Sequence, residues 1–326
     1  MSKIAVVTGG AGFIGSHIAE ALLAQGYKVR VFDNLSTGKR DNITYLEGLS
    51  DDFTFHNYSI TNAGDLLKVF EGAEVVFHQA AIPSVPLSIE QPLLIHEHCA
   101  TGTLNVLEAA RKTGVKRVIY AASSAAYGLV GQTPQVETMS PDPISPYGVA
   151  KLMGEYYCRV YTEIHGLETV CLRYFNVFGA RQDLNSPYAA VIPIFMRKIL
   201  KGETPLIFGD GEQTRDFIYI KNVVHGNLLA MQSEKAVGQV INMATGTSIS
   251  LNELMTKINQ VMGTNVEPIH EAERSGDIKY SYANIDKAGD LLGYEPVVDF
   301  DTALAETAAY YRKEMGLPDE NDDPSL

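Results

Sequence analysis

The sequence predicts an α/β fold, a doubly wound parallel sheet with a smaller C-terminal lobe, and three observations carry that expectation. Short apolar runs alternate with helical patterns through the first half of the chain. Those runs are rich in Val and Ile with little polar alternation, so they suit strands covered on both faces. The first run passes directly into a glycine-rich turn that opens a helix.

In chain order, KIAVVT, KVRVFD, FTFHNY, EVVFHQA, RVIYAA and ETVCLRY read as strands. Between them, FIGSHIAEALLAQG, NAGDLLKVFEG, the stretch from Ile89 to Thr113 and the stretch from Gly148 to His165 read as helices. From about Gly179 the pattern is less regular. Pro187, Pro193, Pro205 and Pro268 punctuate it, and Leu251 to Met262 reads as an isolated amphipathic helix. Residues 1–178 are therefore expected to form the dinucleotide-binding domain. Residues 179–316 would mainly form a substrate lobe over the carboxyl edge of the sheet, with some segments returning to it. Residues 317–326 read as an acidic, solvated tail.

Apolar residues make up 45% and charged residues 20%, the balance of an ordinary globule. A net charge of −13 without a basic patch argues against nucleic acid as a partner. No apolar run is long enough to span a bilayer. The N-terminal segment turns too soon into glycines to read as a signal peptide. Cys99, Cys158 and Cys171 show no CxxC spacing, so they read as reduced thiols of a cytoplasmic protein and no metal site is expected.

The turn TGGAGFIG places Gly9, Gly12 and Gly15 between strand and helix, so that backbone and helix N-terminus can approach a pyrophosphate. The second strand ends at Asp33, 18 residues past Gly15, the spacing expected of a ribose-binding acid in a Rossmann domain. A carboxylate there accepts from ribose hydroxyls and repels a 2′-phosphate, which favours NAD over NADP. Lys39 and Arg40 are the counter-argument.

Tyr147 and Lys151 stand four apart on a predicted helix, facing the same side. Bringing a tyrosine from pKa 10 to about 7 takes roughly 4 kcal/mol. One cation about 6 Å away supplies on the order of 3 kcal/mol. A positive nicotinamide ring would add to it, making Tyr147 a usable base. The Ser-rich segment AASSAAYG, at the end of an apolar strand, offers a hydroxyl to hold the substrate oxygen.

Together the glycine triplet, Asp33, the serine pair and Tyr147 with Lys151 resemble the extended short-chain dehydrogenase/reductase family, most nearly its UDP-sugar 4-epimerases. DNLSTG, HQAAIPSVPLS, GTLNVLEAARK, LRYFNVFGARQ, GDGEQTRDFIYI and RSGDI match in order. The resemblance implies a catalytic Ser123, with Ser124 beside it, acting with Tyr147 and Lys151. It implies that Phe13, Ile14, Asn34, Ser36, Thr37, Gly38, Ser59, Ile60, Gln79, Ala80, Ala81, Cys99, Tyr174 and Val177 join the glycines and Asp33 around NAD. Ser59 and Cys99 depart there from the acid and asparagine common in the family. Asn176, Arg215 and Arg274 would hold the nucleotide diphosphate, and Asp277 its ribose. Ser84, Ala125, Ala190, Val191 and Ser281 would complete the UDP-sugar site.

Dehydratases of the family carry an acid pair just after the catalytic threonine, where this chain has Ser124 and Ala125. What remains is oxidation at C4 and return of the hydride to the other face, with NAD recycled. The small Ser281 and the stretch YAAVIP favour UDP-N-acetylglucosamine over UDP-glucose as substrate. A dehydratase, reductase or UDP-glucuronate epimerase of the same fold, and a non-catalytic sugar-nucleotide-binding regulator, stay open. The family also implies a homodimer built on helices near 90–113 and 148–165.

Overall fold

The structure, a computed structural model, describes residues 3–129, 133–184, 190–273 and 279–317. All six expected strands form: β1 (Ile4–Thr8), β2 (Lys28–Phe32), β3 (Phe53–His56), β4 (Val75–His78), β5 (Arg117–Ser123) and β6 (Glu168–Tyr174). A seventh strand, Val240–Met243, comes from the second half of the chain and pairs in parallel with β6. The order across the sheet is Val240–Met243, β6, β5, β4, β1, β2, β3, parallel throughout.

Successive strand residues point to opposite faces, and here both faces are dry. Ala5, Val7, Val29 and Val31 join one buried cluster, with Ile18 and Leu22 of helix Phe13–Ala24 and Val223 of helix Ile220–Gln232. Val6, Phe32, Val76 and Val118 join another, with Leu66, Val106 and Cys158 from helices Ala63–Phe70, Gly102–Thr113 and Pro146–His165. That is why the strand sequences show no polar alternation. Each fully buried Val or Phe contributes about 1.5–3 kcal/mol.

The structure departs from the expectation of one helix over 89–113. Ser84 caps a short helix, Val85–Glu90, and a second short helix runs Pro92–His96. Proline has no N–H to continue a helix, and Gln91 before it is pushed out of the α region, to ψ 64°. A π-helical turn, Glu97–Thr101, then leads into Gly102–Thr113. The inserted residue of such a turn re-aims the side chains around it, and Cys99 sits at its centre.

In the second half, helices Val191–Leu200, Leu251–Met262, Asp286–Leu292 and Phe300–Glu314 carry small sheets of two- and three-residue strands. Leu251–Met262 has the expected bounds, and its start is fixed by a capping box between Ser250 and Glu253. Thr214–Arg215 pairs with both Ile249–Ser250 and Tyr280–Ser281. Among the described residues no helix is long and apolar enough to cross a membrane. Most of the expected acidic tail lies outside the described residues.

Candidate active site

The chain runs outward from β1 through β2 and β3, then crosses back to β4 on the other side of β1. Between the carboxyl ends of β1 and β4 lies the switch point where open α/β sheets bind ligands. A cleft of about 670 Å³ opens there. Gly9 closes its floor with φ +72°, and a Cβ on it would stand 2.6 Å from the Ala80 backbone nitrogen. At Gly15 a Cβ would lie 2.2 Å from the Gly9 carbonyl oxygen, so only glycine lets helix and strand approach this closely. Gly12, Phe13, Ile14 and Gly15 line the cleft where the helix begins.

Asp33 is buried at the end of β2. Its carboxylate accepts from the Ala11 N–H at 3.0 Å and from the Leu35 N–H at 2.7 Å. Burial pushes its pKa up, and the two N–H bonds pull it back. Each carboxylate oxygen has lone pairs left for a ribose hydroxyl. Asn34, Ser36 and Thr37 follow it along the cleft, and Gly38 packs against Ala11 and Asp33 behind them. The two cations that weighed against NAD are both paired. Lys39 lies 3.3 Å from Asp183, and Arg40 lies 3.2 Å from Glu47. Ser59, Ile60, Gln79, Ala80, Ala81, Tyr174 and Val177 also line the cleft. The Tyr174 hydroxyl is held between Gln79 and Asn227, at 3.1 and 3.0 Å. Cys99 is fully buried behind Ile82, its thiol 3.9 Å from the Ile82 carbonyl, and does not reach the cleft wall.

Ser123 and Ser124 reach the cleft at the end of β5, and Tyr147 and Lys151 reach it from helix Pro146–His165. Ser145 caps that helix by accepting from the Gly148 N–H at 3.1 Å, which fixes its first turn against the strand end. Ser123 accepts from the Ala125 N–H at 3.2 Å and also hydrogen-bonds to Tyr147. The Lys151 ammonium donates to the Ala121 carbonyl at 2.8 Å and lies 5.1 Å from the centre of the Tyr120 ring.

In this geometry the protein alone does not depress the Tyr147 pKa, and the expected depression depends on positive charge brought beside the phenol. Burial drives it well above 10, and the hydrogen bond with Ser123 pulls it down only in part. Lys151 is likewise lowered by burial. The ammonium is engaged by the Ala121 carbonyl rather than by the phenol, so burial dominates both groups.

The other expected site residues fall in two groups. Ser84, Asn176 and Ala190 line the cleft. The Ser84 hydroxyl is used as a helix cap, accepting from the Leu87 N–H at 3.1 Å. Asn176 donates to the Asp216 carbonyl at 2.8 Å. Ala125, Val191, Arg215 and Ser281 stand outside the cleft wall. Ser281 is buried in register with Arg215 on the small sheet of the lobe. Arg274 and Asp277 lie outside the described residues.

Sequence reasoning missed Arg181, Asp183 and His98, all on the cleft wall. Arg181 adopts φ +65°, pairs with Glu20 and lies 4.7 Å from the centre of the Tyr45 ring. Nothing in local spacing announces the Arg181 contacts, because they join segments far apart in the chain.

A parallel doubly wound sheet with a glycine-rich first turn, an acid ending β2 and Ser, Tyr and Lys across the switch point defines a nicotinamide-dinucleotide enzyme of the short-chain dehydrogenase/reductase type. The chain belongs to the NAD dependent epimerase/dehydratase family, whose model matches residues 5–244. Its cofactor is NAD, and the glycine cradle and Asp33 fit that dinucleotide. The chain is similar to the UDP-glucose 4-epimerase of Mycolicibacterium smegmatis, 36% identical over 94% of this chain and 98% of the relative. It is similar in structure to a UDP-N-acetylglucosamine 4-epimerase from Methanobrevibacter ruminantium solved in complex with UDP-N-acetylmuramic acid. That match has a TM-score of 0.92 and 42% identity, and covers 96% of this chain and 99% of the other. A UDP-glucose 4-epimerase of Thermotoga maritima solved with UDP-glucose matches with TM-score 0.90 and 39% identity, over 96% and 99% of the two chains.

Proposed function

We propose that this protein is a nucleotide-sugar 4-epimerase that inverts C4 of a UDP-hexose through a 4-keto intermediate. The carrying observation is the composition of the cleft around Ser123 and Tyr147. Among the described residues that line it, the carboxylates are Asp33 and Asp183, and Asp183 is paired with Lys39 at the Asp33 side. No acid of the described wall stands beside the serine–tyrosine pair, where a dehydratase needs one to eliminate water.

Tyr147 removes the proton of the sugar's 4-hydroxyl, and Ser123 holds the same oxygen by a hydrogen bond. Bound NAD⁺ would supply the acceptor, and after reduction the donor, for the hydrogen on C4, together with a positive charge that favours the phenolate. Lys151 keeps a second positive charge buried under the site, at the Ala121 carbonyl. Asn176 and Arg215, with Arg274 and Asp277, anchor the nucleotide, so the ketone end is free to turn over between the two transfers. Ser123, Ser124, Tyr147 and Lys151 are thus the catalytic set.

We assign UDP-N-acetylglucosamine as the preferred sugar, with UDP-glucose second. The small size of Ser281 and the YAAVIP stretch in the sequence support this reading, and the Methanobrevibacter relative bears that name. We place the enzyme in the cytoplasm, which suits three free, buried cysteines. We further propose a homodimer. Helix Pro146–His165 exposes Val149, Tyr156, Val160 and Ile164 along one face, and the neighbouring short helices expose Ile89 and Leu93, the latter 84% exposed.

Incubation with UDP-N-acetylglucosamine or UDP-glucose, followed by NMR of the products, tests the reaction class. A mixture of C4 epimers without net NADH is expected. A 4-keto-6-deoxy sugar would replace the assignment with a dehydratase, and unchanged substrates would favour a binding protein.

A further inference from the structure

Asp216 is fully buried, and nothing in the proposed chemistry uses it. It stands between Arg215 and Phe217, where four segments of the lobe meet. Its carboxylate accepts from the Thr245 N–H at 2.9 Å, the Thr245 hydroxyl at 2.7 Å, the Gly246 N–H at 3.1 Å and the Ala283 N–H at 3.4 Å. Its own N–H donates to the Ser281 carbonyl at 2.9 Å, and its carbonyl accepts from the Asn176 side chain at 2.8 Å. A buried carboxylate is tolerated only when donors converge on it. Its backbone bonds to two expected site residues, Asn176 and Ser281, and its carboxylate ties loop 245–246 and Ala283 to the strand that carries Arg215.

We propose that Asp216 is the positioning residue of the nucleotide subsite. Its carboxylate fixes loop 245–246, the Arg215 strand and the 281–283 segment in one geometry, beside the Asn176 amide held by its backbone carbonyl, so that the diphosphate meets a preformed site. The charge itself is not aimed at the ligand; it serves as the common acceptor that ties loop 245–246 and Ala283 to the Arg215 strand. Asp216→Asn keeps the shape and turns an acceptor into a donor facing backbone N–H groups. The assignment rests on the nucleotide-sugar reading given above.

The test measures UDP binding by calorimetry, together with kcat, KM, bound NAD and Tm, for the wild type, Asp216→Asn and Thr245→Val. Thr245→Val removes one of the four bonds and leaves the carboxylate, so it covers the case in which Asp216→Asn fails to fold. The expected result is a rise of about tenfold in the UDP Kd and in KM for Asp216→Asn, a smaller rise for Thr245→Val, and nearly unchanged kcat and NAD content. A merely structural role would lower Tm without moving KM. Undiminished UDP binding in the folded variants would overturn this assignment alone. A wild type that binds no UDP would overturn the nucleotide reading, and this assignment with it.

Discussion

At the residue scale the site is a balance between burial and charge. Tyr147 sits in a dry pocket that pushes its pKa up, so the phenol stays protonated until charge is brought beside it. Tyr147→Phe keeps the shape and removes the acid–base group. Turnover should fall by about 10²–10⁴-fold with NAD content unchanged, as read by steady-state kinetics and by absorbance of bound cofactor. A second buried group sets acid stability. His78 is held between Thr8 at 2.7 Å and Thr103 at 2.9 Å. Burial and the Lys151 ammonium lower its pKa to about 3. The unfolded chain binds a proton near pH 6.5 while the folded chain stays neutral. Stability therefore falls as pH drops from 6.5 towards 3, by up to about 1.4 kcal/mol per unit. His17, lowered to about 4, acts in the same sense, whereas Asp216, raised to about 6, acts in the opposite one. His78→Gln should shrink the drop in Tm between pH 7 and pH 5, and an unchanged drop would remove His78 from this role.

At the scale of elements, the cofactor turn tolerates no side chain. Gly15→Ala forces Cβ against the Gly9 carbonyl, so the helix must retreat from β1. Purified variant should carry about tenfold less NAD or none, with far-UV circular dichroism unchanged; wild-type NAD content would contradict this reading of the turn. The six N-terminal strands and the Leu251–Met262 helix were legible because burial on two faces, or on one stripe, writes a period into the sequence. The break at Gln91–Pro92 is marked in the sequence by the proline itself, which the expectation of one helix over 89–113 left out. The π turn at Glu97–Thr101 has no such signature, since one extra residue in a helical register leaves composition unchanged. Strands of two residues, such as Thr214–Arg215, exist only through their tertiary partners and carry no period. The same limit applies to the site. Gly9, Asp33, Tyr147 and Lys151 announce themselves by spacing. The Lys39–Asp183 pair, Arg181 beside Tyr45 and the Asp216 knot join distant segments.

At the scale of the whole molecule, the sheet brings the cofactor turn, the serine strand, the tyrosine helix and, just past β6, Asn176 to one cleft. On the flank, the exposed apolar stripe of helix Pro146–His165 runs along the helix that carries Tyr147 and Lys151. If two copies meet there, Ile164→Asp should halve the mass seen by sedimentation while each chain stays folded, and a wild type already monomeric at micromolar concentration would contradict the dimer. The central claim, that C4 is inverted through a ketone whose hydrogen is held and given back, has a more direct test. A UDP-hexose carrying deuterium at C4 is converted in ordinary water, and the label at C4 of the product is read by mass spectrometry and NMR. Hydride return predicts an epimerised product that keeps the deuterium at C4, with no free NADH. Epimerised product with the label exchanged for solvent hydrogen would contradict the account.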